Sequence, residues 1–450
     1  MKQFNKLLLT SFFLIPFQLF ADDLKKDVLS MRERANVRNA ILKDRFESVL
    51  PNIMRRNNID MWLIIAREYN EDPVIRTMLP ATWLNARRRT VLVVFDPGNN
   101  KPLETYAVAR YAVGEVFKKA WDPEVQPDQY KALAEIIKQK NPKKIGINKS
   151  EFFAQADGLS STEYDLLNKA LPRKYQKRIV SATNIAVGWL ETRSAKEMEI
   201  YPEICRIAHD IIKEGFSSNV ITPGVTTTDD IVWWYRERIR DLNFVTWFHP
   251  SVSIQRGDKQ NFDFLESFSN AKPESTVLPG DLLHVDFGIT YLSLNTDTQQ
   301  HSYVLMPGEN TVPNELTKAL AIGNRLQDIL TNQFKTGRTG NEMLLSALEQ
   351  AKSEGINPQI YTHPIGYYGH GSGPTIGMWD KQEGVPVNGD YPLYPNTAYS
   401  IELNAKVFIK SWGKEVAIQL EEDAFFDGET CEYIDPRQTE MIIIDWETDK

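Results

Sequence analysis

From Met31 to Ile59 apolar positions recur at helical spacing, and the pattern then changes to short β-type runs: MWLIIA (61–66), TVLVVF (90–95), TYAVARY (105–111) and KKIGIN (143–148). A helical stretch, YKALAEIIKQK (130–140), separates the last two. This alternation predicts an α/β domain. SATNIAVGWLETRSA (181–195) then leads back into helical periodicity, with further helical segments expected at 196–217, 227–242, 314–334 and 340–354 around a second group of β-type runs. The domain boundary is placed at 185/186, giving units of 22–185 and 186–450. A chain of 450 residues exceeds the size at which a single core stops growing, so two packed cores are expected.

Two of the later runs read as hairpins carrying paired carboxylates. LLHVDFGITYLSLNTDTQQHSYVL (282–305) has two β-type halves around Tyr291 and Leu292, which would set Asp286 opposite Asp297 with Cβ atoms about 5 Å apart. NTAYSIELNAKVFI (396–409) and KEVAIQLEEDAFF (414–426) flank a turn at Ser411, Trp412 and Gly413, with Glu402 and Glu421 equidistant from its centre. Alternation puts Val416, Ile418 and Leu420 on one face and Ala417, Gln419 and Glu421 on the other. Glu422 then faces away and is read as solvated surface. Two buried carboxylates at such range repel, and a bound cation removes the conflict.

Between the hairpins lies THPIGYYGHGSGPTIGMWD (362–380), with His363 and His370 seven apart and five glycines, a composition that lets backbone approach a ligand closely. One imidazole with four carboxylates is a hard, oxygen-rich donor set. It suits a bridged pair of Mn(II), Co(II), Fe(II) or Zn(II) ions better than a thiolate-type structural zinc.

In order, VDFG with a second Asp eleven residues on, HPIG with a second His seven on, SIELN and IQLEED resemble the segments of the pita-bread metallopeptidases. The β and α alternation upstream is similar to the amino-terminal domain of the Xaa-Pro aminopeptidase, prolidase and creatinase branch. The resemblance implies a creatinase-type α/β domain followed by a pita-bread catalytic domain. It implies that Asp286 binds one metal, that His363 and Glu402 bind the other, and that Asp297 and Glu421 bridge both. It also implies a metal-held water or hydroxide as nucleophile, Glu402 as proton shuttle and His370 as stabiliser of the tetrahedral intermediate. The expected cofactor is two divalent cations, manganese first, and the expected reaction is exopeptidase cleavage of Xaa-Pro bonds in short peptides, in a branch that often dimerises. Alternatives are an amidohydrolase acting on another small substrate and a catalytically silent binding module. The chain departs from the family pattern at Ser267, Phe268 and Ser269, where a substrate-contacting His is usual, and at Gln300 and Gln419, where arginine is frequent. His249 is the nearest upstream histidine.

The remaining features bound the reading. A net charge of −8 argues against a nucleic-acid partner. Arg87, Arg88 and Arg89 form the one tight basic run and are read as a solvated face. Lys2 and Lys6 precede the apolar stretch LLLTSFFLIPFQLFA, followed at once by DDLKKD, which predicts a secretory signal over 1–21 and a periplasmic or secreted protein free of the membrane after cleavage. Leu19 is bulky for the −3 position, so retention as an anchor is the alternative. Cys205 and Cys431 are read as two separate buried thiols. His284 shares a strand face with Asp286 and is placed behind the carboxylates. His249 and His301 are read as structural, and His209 as a helix-face residue.

Overall fold

The computed structural model describes residues 24–26, 28–258 and 275–447. The expected signal segment and the stretch around Ser267 to Ser269 lie outside the described residues.

Alternating apolar side chains build the first sheet. Its strands are Met61–Arg67 (β1), Arg89–Phe95 (β2), Glu104–Val108 (β3), Lys118–Lys119 (β4), Ile145–Ile147 (β5) and Ile179–Ser181 (β6), in the order β4-β3-β2-β1-β5-β6. β2 runs antiparallel to both its neighbours, whereas β1, β5 and β6 are mutually parallel. Along β1, Trp62 and Ile64 point into one core with the helices Met31–Ser48, Leu50–Arg56 and Thr183–Glu191, while Met61, Leu63 and Ile65 point into another with Gln129–Lys140. Both faces are thus covered, which explains why β1 and β2 read as continuous apolar runs.

In the second half the order of two helices, an edge strand and a hairpin occurs twice. Helices Ala195–Gly215 and Thr228–Asp241 precede Ser251–Gln255 (β7), then Leu282–Phe287 (β8), Thr290–Tyr291 (β9), Leu294–Asn295 (β10) and Thr298–Val304 (β11). Helices Asn314–Thr331 and Gly340–Ser353 precede Asn357–Ile360 (β12), His363–Ile365 (β13), Thr397–Ser400 (β14), Leu403–Ile409 (β15), Lys414–Leu420 (β16), Asp423–Phe426 (β17), Cys431–Tyr433 (β18) and Ile442–Ile444 (β19). The sheets are ordered β19-β11-β8-β7, β12-β15-β16 and β13-β14-β17-β18. Three of the four helices begin with a capping box, Ser194 with Glu197, Thr227 with Asp230 and Thr339 with Glu342, each satisfying backbone N–H groups that the first turn leaves open. The apolar face of Ala195–Gly215 packs on Leu283, Val285 and Phe287, and that of Asn314–Thr331 on Ile418 and Leu420. The helices thus fill the outer side of each hairpin and leave the inner side to polar residues.

A buried charge cluster joins the halves. Arg45, fully buried on Met31–Ser48, donates to Glu197 at 2.5 Å, to Thr192 O at 2.6 Å and to Trp189 O. Arg193 holds the other Glu197 oxygen at 2.9 Å, and the Tyr367 ring lies between the two guanidinium groups, 4.9 Å from each. Among the described residues no helix is long and apolar enough to cross a membrane.

Candidate metal centre

Strand pairing lines up four polar residues across four chain segments. Asp286 on β8 pairs with Gln299 on β11, and Gln299 in turn bridges to Glu421 just beyond β16. Leu403 against Leu420, with Ile401 N–H donating to Glu422 O at 2.9 Å, sets Glu402 across from Glu421. Laterally adjacent residues share a face, so Asp286, Gln299, Glu421 and Glu402 project to one side. Next to this row, Ser400 pairs with both His363 and Asp423, and Asp297 N–H donates to Asp423 Oδ2 at 3.3 Å.

His363 sits at the centre of the group. Its Nε2 lies 3.5 Å from Asp297 Oδ2, 3.5 Å from Glu421 Oε1 and 4.0 Å from Glu402 Oε2, while its Nδ1 lies 3.0 Å from Pro364 O. Nε2 is buried and has no hydrogen-bond partner. One atom each of Asp297, His363 and Glu421 falls within 4.8 Å of the others, the spacing of a shared cation. Burial, then the charges of Glu421 and Asp286, push the carboxyls of Asp297 and Glu402 far above the usual range. Carboxylates so placed must take up protons or share a cation, and an imidazole nitrogen left unpaired among them fits the second outcome.

The structure corrects several expectations. Asp286 does not stand opposite Asp297, because the hairpin turns at Leu292 and Ser293, both at positive φ, with Tyr291 paired to Leu294. The turn centre is one residue later than the pattern suggested, which moves the partner of Asp286 by two residues, to Gln299. A shift of two preserves the face, and Asp286 still acts on Asp297 electrostatically. Glu422 faces away from Glu421 as expected, yet it is 1% exposed and not solvated. It binds His209 Nε2 at 2.7 Å, whose Nδ1 lies 2.6 Å from Asp435. Hence His209 bridges two carboxylates, Glu422 and Asp435, rather than being a simple helix-face residue.

His370 lies beside His363, ring centroids 4.8 Å apart and nearly perpendicular, with Trp247 5.1 Å away. The residue is exposed. Desolvation first, then the neighbouring His363, lower its pKa to about 4, so the ring is neutral and can donate an N–H. The glycines of this segment serve protein packing: a Cβ on Gly369 would fall 2.2 Å from the Trp247 ring, and one on Gly371 would fall 2.6 Å from Pro364 O. His249 lies against Arg236, Nδ1 to Nη1 at 2.9 Å, and edge-on to the Trp233 ring. His301 accepts from Gln419 N at 3.1 Å and is structural. Cys205 is buried and Cys431 half-buried, and both are free thiols. Arg87 and Arg88 are exposed, while Arg89 pairs with Glu163 at 2.8 Å.

Sequence reasoning did not single out Gln299 or Ser400, whose Oγ donates to Glu421 Oε1 at 2.6 Å. Only the pairing of the two hairpins marks them.

Comparison with known proteins agrees with this geometry. The family model described as metallopeptidase family M24 matches residues 199–426. No curated protein sequence matches the chain at a significant level. Among solved structures, the X-Pro aminopeptidase from Thermotoga maritima MSB8 is similar at 17% identity, over 87% of this chain and 100% of that one, with a TM-score of 0.60. The Xaa-Pro dipeptidase from Bacillus anthracis is similar at 17% identity over 92% and 100%, TM-score 0.56. The prolidase from Pyrococcus furiosus is similar at 14% identity over 86% and 99%, TM-score 0.53. At such identities the likeness is one of fold, a pita-bread catalytic unit preceded by an amino-terminal α/β domain. With the family model spanning half of its length and ending just past the second glutamate, the chain belongs to metallopeptidase family M24.

Proposed function

We propose that the protein is a dinuclear exopeptidase that cleaves Xaa-Pro bonds in short peptides. The observation that carries the metal reading is His363 Nε2, buried, without a hydrogen-bond partner and 3.5–4.0 Å from three carboxylates. In this reading Asp286 holds one divalent cation, His363 and Glu402 hold the other, and Asp297 and Glu421 are shared by both. When bound, the cations supply Lewis-acid polarisation of the scissile carbonyl and acidify a water. Manganese is the first choice because the donors are hard oxygens with a single imidazole. Glu402 is the carboxylate that would take up a proton from the attacking water and return it to the leaving nitrogen. Neutral His370 donates its N–H to the oxygen on which charge develops.

The Xaa-Pro preference rests on the activities named for the solved structures of like fold. Metal analysis of the purified full-length chain tests the reading, together with hydrolysis of free-amine peptides with and without proline, before and after chelation and Mn(II) or Co(II) addition. Cleavage of Xaa-Pro peptides, lost with chelator and restored by metal, is the expected result. Hydrolysis of other small amides with none of the Xaa-Pro panel cleaved would remove the proline specificity. We further propose export, tested by amino-terminal sequencing of the mature protein, which should begin at Asp22.

A further inference from the structure

Gln299 is fully buried at the seam between the two hairpins. Its Nε2 donates to Glu402 Oε1 at 2.7 Å and to Glu421 Oε2 at 2.6 Å, and its Oε1 lies 2.9 Å from His284 Nε2. The chemistry permits one orientation of this amide. Glutamates that hold cations are ionised and only accept, so both N–H groups then face the two glutamates and the carbonyl oxygen faces His284. His284 therefore carries its proton on Nε2. Its Nδ1 is left to Ser253 Oγ at 3.4 Å, and its ring packs against His301 at 5.3 Å.

The two amide bonds engage one oxygen of each glutamate. Glu421 Oε1 and Glu402 Oε2, the other oxygens, are the ones 3.5 and 4.0 Å from His363. A flexible carboxylate would lose rotamer freedom on binding a cation and would stray between two like charges before doing so. An amide that grips both removes that freedom in advance.

From this network we propose that Gln299, oriented by His284, is a positioning residue that presets Glu402 and Glu421 for divalent cations. The proposal rests on the two-cation reading above and adds residues that sit behind the donor set. Gln299 acts through the glutamates, and His284 acts only through Gln299, so their effects must overlap rather than accumulate.

Titration of Mn(II) into the metal-stripped full-length chain, followed by calorimetry, tests this. Gln299→Ala should weaken affinity by about 10- to 100-fold. His284→Phe keeps a ring against His301 but cannot donate, and should weaken affinity in the same direction. His284→Gln restores a donor to the Gln299 carbonyl and should recover most of the affinity. The Gln299→Ala/His284→Phe double variant should bind no more weakly than Gln299→Ala alone. Wild-type affinity in Gln299→Ala, or losses that multiply in the double variant, would overturn the proposal while leaving the cation site intact. Failure of the unaltered chain to bind Mn(II) would instead overturn the two-cation reading itself. If circular dichroism shows Gln299→Ala unfolded, the His284→Phe and His284→Gln pair decides the question.

Discussion

Gln299 and Glu421 exchange backbone hydrogen bonds, Gln299 N–H to Glu421 O at 2.9 Å and Glu421 N–H to Gln299 O at 3.3 Å. This backbone bridge, with the bond from Gln419 N–H to His301, joins the Asp286–Asp297 hairpin to the Glu402–Glu421 hairpin, so carboxylates more than a hundred residues apart in sequence meet. Since both hairpins contribute to one site, Asp297→Ala or Glu421→Ala should release bound cations and abolish hydrolysis together. Metal content measured beside activity checks this, and two cations retained at wild-type affinity would contradict the bridging roles.

His370 touches the His363 ring but is not among the cation donors of the proposed site. His370→Ala should leave metal content unchanged and lower kcat by about 10²-fold, the usual scale for one donor to a developing oxyanion. An unaltered kcat would make His370 a packing residue of the glycine-rich segment.

His209 sets a pH dependence of stability. Burial alone would depress its pKa, but Glu422 and Asp435 outweigh burial and raise it to about 10. The folded value lies above the ordinary 6.5, so the stabilisation is complete below pH 6.5 and is lost as pH rises toward 10. Urea unfolding at pH 6 and pH 9.5 should show this loss in the wild-type protein. His209→Gln should be less stable by about 3 kcal/mol at pH 6, where Glu422 loses its buried counterion. A variant with wild-type stability at pH 6 would rule the pair out as a stabilising element.

Arg45 links the first helix to the start of the catalytic half through Glu197, Thr192 and Trp189. Arg45→Ala leaves the buried Glu197 with Arg193 as its remaining ion-pair partner, beside the Ser194 N–H, and Tyr367 without one of its two flanking cations. Unfolding free energy should fall by about 3–5 kcal/mol, the cost of breaking a buried ion pair on one side. Denaturant titration that shows less than about 1 kcal/mol of loss would mean that solvent replaces the contact.

The sequence by itself determined the long helices, the strands of the apolar runs and half of the site's register, but not short elements such as Ile179–Ser181 and Ser251–Gln255. Apolar runs are local signals, read from neighbours in the chain, and strands such as Met61–Arg67 and helices such as Ala195–Gly215 form where these signals lie. The turn near Trp412 is bounded by two well-patterned strands, so the facing of Glu402 and Glu421 was legible from spacing alone. The turn at Leu292 and Ser293 was not, because two non-glycine residues at positive φ give no compositional mark, and the partner of Asp286 was misread by two positions. Tertiary structure alone decided the rest. It set Gln299 between the two glutamates, buried Glu422 on His209 and turned the His370 ring edge-on to Trp247. Each of these contacts joins residues more than a hundred positions apart. Their geometry follows from how helices press one hairpin against the other, an outcome of packing and charge pairing that no local pattern encodes.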